Sequence, residues 1–281
     1  MSGTLYLCAT PIGNLKDITL RVLETLEAVD LIAAEDTRNS KKLLNHYEIH
    51  TPLTAYHEHN KQTKAKKLIA LLKEGKDIAL VTDAGTPAIS DPGQDLVALC
   101  MEEGVAVTSL PGPTACITAL TLSGFHARRF VFEGFLPGKE DKKERAKALG
   151  RLENETRTII LYAAPHDLER DLTDLYETLG ARRIALCREL TKKFEEVVIT
   201  TLSESRPHPR GEYVLVIEGK DEKDLVAAQQ AQWEEISIPD HVAQYEAQGL
   251  DRKEAMKKAA LDRGITKRDV YRALLENRSD V

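Results

Sequence analysis

With 281 residues, 30% of them charged and 5% aromatic, the chain has a globular balance, with length for one large or two medium domains and a core that needs no staples. A formal net charge of −6 excludes nucleic-acid binding driven by overall charge, so any RNA contact must come from local basic patches. Four cysteines (Cys8, Cys100, Cys116 and Cys187) without CxxC spacing, and no apolar run near the ~18 residues of a membrane span, predict reduced core thiols in a cytoplasmic protein that holds neither disulfide nor metal.

The chain opens directly into a strand, without the basic stretch and apolar run of a signal peptide. Short apolar runs at 4–9, 30–34, 78–82 and 105–110 read as strands. Helical patterns at 19–28, 38–45, 62–73 and 94–102 alternate with them, and another helix follows Pro111-Gly-Pro113. This rhythm predicts an α/β domain over 1–124 with a parallel-rich sheet covered on both faces. Strands at 130–134, 158–162, 183–187, 196–201 and 213–218, with helices at 139–152 and 166–178, predict a second α/β domain over 125–222. Its last three strands lie too close in sequence for helical crossovers, so this sheet is expected to be mixed. The tail, 232–281, is strand-free. Helices are expected at 239–247, 251–263 and 266–277, punctuated by Gly249 and Gly264, with Asp251 and Thr266 as N-caps. Residues 251–272 carry eight Lys/Arg against four Asp/Glu. Such a tail is either a helix-turn-helix or an appendage that packs on the body or a second subunit.

Three strand-to-helix loops stand out. The first is Ala9-Thr-Pro-Ile-Gly-Asn14, which lacks GxGxxG and so does not predict a dinucleotide site. The second is Asp83-Ala-Gly-Thr-Pro-Ala-Ile-Ser-Asp-Pro-Gly93, where Gly85 permits close backbone approach and Pro87 and Pro92 stiffen the loop. The third is Leu110-Pro-Gly-Pro-Thr-Ala115. One such loop is an ordinary turn. Three at the carboxyl ends of strands in one parallel sheet would line a crevice, where ligands bind.

The order Pro11-Ile-Gly-Asn14, Ala34-Glu-Asp-Thr-Arg38, the Asp83–Gly93 loop, Leu110-Pro-Gly-Pro-Thr-Ala115, Phe132-Glu-Gly-Phe-Leu-Pro137, Arg188-Glu-Leu-Thr-Lys192 and Arg210-Gly-Glu212 resembles the tetrapyrrole methylase superfamily. Within it, the chain looks like the bacterial small-subunit rRNA ribose methyltransferases over roughly residues 3–219. It departs from them at Tyr162-Ala-Ala-Pro-His166, where relatives often carry Glu-Ser-Pro-His after the tyrosine. The resemblance implies a two-domain α/β homodimer that uses S-adenosylmethionine, with no metal. It implies 2′-O-methylation of a cytidine in the decoding region of 16S rRNA within the small ribosomal subunit. A tetrapyrrole methylase of the same fold is the alternative, and a non-catalytic module whose tail binds RNA is a second. By the same resemblance, Pro11, Asp83, Gly85, Thr86, Pro87, Ser90, Thr114, Ala115, Tyr162 and Ala163 lie near the cofactor.

Four further residues are candidates for proton handling or substrate contact. Glu35 or Asp36 could accept a proton or orient a ribose, and Arg38 could hold a phosphate, although Asp36 or Thr37 is also expected to cap the helix that follows. Lys192 could stabilise an emerging alkoxide, or act as a base if burial lowered its pKa. The catalytic set expected from sequence is thus Asp36, Arg38 and Lys192. His57-Glu-His-Asn60 reads as a polar loop, and the basic run from Lys139 to Arg151 as an RNA track or a solvated helix face.

Overall fold

A computed structural model of the protein describes residues 2–279. By contacts the chain divides into two compact units, residues 2–153 with 157–218, and residues 154–156 with those from 219 onward.

The first unit holds two five-stranded sheets. The first contains β1 (Thr4–Cys8), β2 (Leu31–Ala34), β3 (Leu53–Ala55), β4 (Ile78–Val81) and β5 (Ala106–Leu110) in the order β3-β2-β4-β1-β5, all parallel. Its connections run through α1 (Leu20–Ala28), α2 (Thr37–His46), α3 (Lys61–Lys73) and α4 (Gly93–Glu102). Alternation along the strands divides the core in two. Leu5, Leu7, Ala33, Ile78 and Leu80 face α3 and α4, meeting Leu68, Leu72, Leu96 and Cys100. Cys8, Ile32, Ala34, Ala79 and Val81 face α1 and α2, meeting Val22, Leu26 and Leu44. All four residues of β4 are buried, as a strand covered on both faces requires. β1 leads toward one edge of the sheet and β4 toward the other, so the switch point lies between these two neighbours.

The second sheet contains β6 (Phe130–Phe135), β7 (Thr158–Ala163), β8 (Arg183–Arg188), β9 (Glu196–Thr201) and β10 (Tyr213–Ile217), ordered β6-β7-β10-β8-β9. Only the β6–β7 pair is parallel. Helices α6 (Lys142–Leu152) and α7 (Leu168–Leu179) cover one face. The other face is covered by α5 (Ala115–Ser123), which leaves the first sheet after β5 and sets Cys116, Ala119 and Leu120 against Ile160, Ala185, Cys187, Val214 and Val216. The parallel-rich and mixed sheets expected from the sequence are both present. β3 carries no strand signature in the sequence, being a three-residue edge strand with one large apolar side chain.

The basic run on α6 is interrupted by Arg145. Its guanidinium is buried and binds Asp171 (2.7 Å), Asp174 (2.6 Å) and the Pro137 carbonyl (2.8 Å). It ties α6 to α7 and offers nothing to a phosphate. All four cysteines are free and buried, and burial pushes the thiols of Cys8 and Cys187 up to about 12.

The second unit holds α8 (Glu222–Ala231), α9 (Ile238–Ala247), α10 (Arg252–Asp262) and α11 (Lys267–Ser279). Val242, Tyr245, Ala255, Met256, Ala259 and Val270 form its core. Asp251 caps α10 through the Glu254 N–H (2.8 Å), and Thr266 receives the Asp269 N–H (3.2 Å). His241 is fully buried, and the Trp233 ring stacks on it at 3.8 Å. α8, with its Ala/Gln-rich sequence, lies outside the helices expected from the sequence.

Candidate active site

The first and second marked loops are fastened to one another at the switch point. The Thr10 N–H donates to the Gly85 carbonyl (2.9 Å) and the Gly85 N–H to the Thr10 carbonyl (3.0 Å), while the Thr10 hydroxyl donates to the Thr82 carbonyl (3.1 Å). Gly85 has φ +85°, and a Cβ there would stand 3.2 Å from Ile12 Cγ2. Glycine takes this conformation at no steric cost. Ala88 and Ser90 adopt positive φ without that freedom, at 68° and 62°, a strain of roughly 1–3 kcal/mol each that the surrounding loop must hold. The third loop joins through Thr86, whose hydroxyl donates to the Pro113 carbonyl (3.1 Å) and lies 2.6 Å from the Thr114 hydroxyl.

Together with the second sheet these loops enclose a cavity of about 400 Å³. Asp83, Gly85, Thr86, Ser90, Thr114 and Ala115 line it from one side, and Tyr162, Ala163 and Lys192 from the other. Tyr162 is held between Phe132 (4.9 Å) and Phe135 (5.4 Å), edge to face. The two sides meet closely at Gly13, where a Cβ would sit 2.4 Å from Lys192 Cγ and 2.8 Å from Thr191 Oγ1. Glu189 and Thr191, with φ 48° and 67°, shape the turn that makes this approach. Pro87 does not line the cavity. Pro11 borders a smaller pocket of about 230 Å³, shared with Asn39, Lys42, Thr82 and Asp83.

The expected catalytic set separates. Asp36 does not line this cavity. Its carboxylate caps α2 through the Arg38 N–H (2.8 Å) and clasps the Arg38 guanidinium (2.6 Å). The Arg38 side chain and backbone N–H hold its pKa down at about 2. Arg38 is 86% exposed, outside the cavity. Lys192 is inside, clamped by Glu212 (2.7 Å) and Glu189 (3.0 Å). Burial works against its charge, but those two carboxylates outweigh burial and its pKa is raised. A lysine held protonated is a cation for an anionic group, and the condition set for a base, a pKa lowered by burial, is not met.

Glu35 does reach the cavity. The register pairs Ala34 with Val81, so the next positions, Glu35 and Thr82, stand side by side, and the Thr82 hydroxyl donates to Glu35 Oε2 (2.9 Å). Burial raises the Glu35 pKa, and the charges of Asp83 and Asp91 raise it further. The sequence carried a usable signal. Ile32 and Ala34 share one face of β2, so strand alternation turns Glu35 to the opposite face, where Ala33 lies. His57 and His59 have rings 6.0 Å apart, and no cluster of three or more metal-ligating side chains occurs among the described residues. No helix among those residues is long and apolar enough to cross a membrane.

The family profile of Tetrapyrrole (Corrin/Porphyrin) Methylases matches residues 4–205. A Halalkalibacterium halodurans protein named ribosomal RNA small subunit methyltransferase I is 50% identical over 274 residues, 96% of this chain and 93% of its own. A Bacillus subtilis protein of the same name is 49% identical over 276 residues, 96% and 94% of the two chains. Among solved structures, a uroporphyrin-III-C-methyltransferase from Thermus thermophilus has a TM-score of 0.54 at 21% identity, over 77% of this chain and 94% of that one. The methyltransferase CobJ has a TM-score of 0.59 at 19% identity, over 78% and 95%. At such identities the structural likeness is one of fold. The chain belongs to the tetrapyrrole methylase family and is a methyltransferase.

Proposed function

We propose that this tetrapyrrole methylase family member methylates the ribose 2′-hydroxyl of a cytidine in the decoding region of 16S rRNA, within the small ribosomal subunit, using S-adenosylmethionine. The observation that carries the reading is the cavity where three loops of the parallel sheet meet the second sheet, in a chain about half identical to proteins named for small-subunit rRNA methylation. The reading includes a homodimer in the cytoplasm, with domains over 1–124 and 125–222 and a helical tail over 232–281.

The residues suit the donor. A cavity of about 400 Å³ is in the range that holds a cofactor-sized molecule. The bare backbone at Gly85, the Thr86 and Thr114 hydroxyls and the Asp83 carboxylate match an adenosine edge, ribose hydroxyls and an amino-acid end. Ser90, Ala115, Tyr162 and Ala163 supply the remaining walls. Pro11 and Pro87 act at one remove, by stiffening the loops. When bound, S-adenosylmethionine supplies an electrophilic methyl group on a sulfonium. The chain's task is to fix that group in line with the attacking oxygen, and alignment supplies roughly 7–11 kcal/mol at its limit. Lys192, held protonated, favours an anionic oxygen on the second-sheet side. Arg38, exposed at the rim of the first sheet, is placed for a phosphate of a pre-ordered RNA.

Mapping ribose methylation in small subunits from cells with and without the gene tests this reading. Loss of one 2′-O-methylcytidine is expected, and an unchanged pattern would refute it. Label passing from S-adenosylmethionine only to a porphyrinogen would select the tetrapyrrole alternative.

A further inference from the structure

Four carboxylates border the cavity: Glu35, Asp83, Asp91 and Glu212. Three already hold structural or ionic partners, and Asp83 also faces the space proposed for the donor. Asp91 accepts the N–H groups of Gly93 (2.7 Å) and Ile89 (3.3 Å), closing the turn before α4. Asp83 accepts the Asp36 N–H (3.1 Å) and the Asn39 amide (3.3 Å), joining two loops. Glu212 is ion-paired to Lys192 at 2.7 Å and is 76% exposed.

Glu35, like Asp83 and Asp91, accepts only from neutral donors, the Thr82 hydroxyl and the Asp83 backbone N–H, and it is set apart by burial, which raises its pKa. An ion pair would spend its basicity. Neutral donors orient it and leave the charge in place. Thr82 and Asp83 form the wall shared by the large cavity and the smaller pocket that Pro11, Asn39 and Lys42 border. A ribose can reach Glu35 only from the side of the cavity that Glu35 itself lines, next to Thr82 and Asp83.

We propose that Glu35 accepts the proton of the ribose 2′-hydroxyl during methyl transfer. The inference rests on the ribose-methylation reading. In the step, the hydroxyl oxygen forms a bond to the methyl carbon as the carbon–sulfur bond breaks. The electron pair of that bond stays on sulfur, which leaves as a neutral thioether, and the hydroxyl proton passes to the Glu35 carboxylate. Charge balances, since the sulfonium cation and the carboxylate anion are both neutralised. The raised pKa of Glu35 brings it toward the working pH, where a general base is most effective.

The test compares the wild-type chain with E35Q and E35D, using unmethylated small ribosomal subunits and labelled S-adenosylmethionine in single turnovers across pH 4–9. Expected for E35Q is a rate lower by about 10²–10⁴-fold, an unchanged affinity for S-adenosylhomocysteine by calorimetry, and loss of the acid limb of the wild-type pH profile. E35D should restore part of the rate. In the free protein, a carboxyl ¹³C NMR titration should show one glutamate with a raised pKa whose signal is missing in E35Q. An E35Q rate and pH profile like those of wild type would overturn the proposal, as would loss of rate in step with S-adenosylhomocysteine affinity. A wild-type protein that binds S-adenosylhomocysteine but leaves the subunits unlabelled would instead sink the ribose reading, and this inference with it.

Discussion

The two sides of the cavity are built by different means. The parallel-sheet side consists of loops tied by backbone hydrogen bonds between Thr10 and Gly85 and by the Thr86–Thr114 hydroxyl pair. The mixed-sheet side relies on charge, with Lys192 between Glu189 and Glu212, and Arg145 between Asp171 and Asp174 behind it. Backbone ties fix shape at small cost in side-chain entropy. Ionic clamps fix position and leave a field at the cavity wall.

Four substitutions sharpen this contrast. The largest effect is expected from Arg145→Met, which takes from buried Asp171 its 2.7 Å partner, leaves it only Arg170 at 3.8 Å, and should cost about 3–5 kcal/mol in urea unfolding. A loss well below that would mean the mixed-sheet side does not depend on its ionic tie. Gly13→Val comes next, since its Cβ would overlap Lys192 and Thr191. Overpacking here should cost about 1–3 kcal/mol and should lower S-adenosylhomocysteine affinity measured by calorimetry. Retained affinity would show that the two sides need not touch at this point. Thr86→Val keeps the shape but removes the hydroxyl pair, for a loss of about 1 kcal/mol by thermal unfolding.

The smallest effect is expected from Glu35→Gln, and its sign is opposite. The folded-state pKa of Glu35 is raised, so the folded protein holds that proton more tightly than the unfolded chain, and wild-type stability falls as pH rises through the carboxyl range. At pH 7 the glutamine variant should therefore unfold slightly later than wild type. The difference should fade as pH drops well below the ordinary glutamate value of about 4.3, where the wild-type carboxyl becomes protonated in both states. A variant less stable than wild type at pH 7 would show that the Thr82 contact outweighs the burial of charge.

The strands of both sheets were legible because buried parallel strands read as short apolar runs and amphipathic helices repeat at 3.6 residues. β3 and α8 were not, one for brevity and the other for its Ala/Gln composition. The three loops were visible as small-residue clusters. Their grouping depended on β1, β4 and β5 being neighbours, which sequence order does not state. Asp36, Arg38 and Lys192 were chosen by side-chain chemistry, but their partners decide what they can do. Asp36 and Arg38 satisfy one another, and Lys192 is held by two carboxylates. Arg145 looked like a surface cation because nothing local announces Asp171 and Asp174, 26 and 29 residues away.

α5 has a consequence for synthesis. It follows β5 in the chain, yet its apolar face docks on β7, β8 and β10. A ribosome making this protein releases α5 well before Ile217, the last residue of β10. At roughly 5–20 residues per second, the helix waits on the order of 5–20 s for the sheet that covers Cys116, Ala119 and Leu120. During that interval the parallel sheet can form, but its third loop hangs from an undocked helix. The cavity is therefore among the last features of the nascent chain to take shape, and a chain released after residue 124 would carry three loops with nothing to close against.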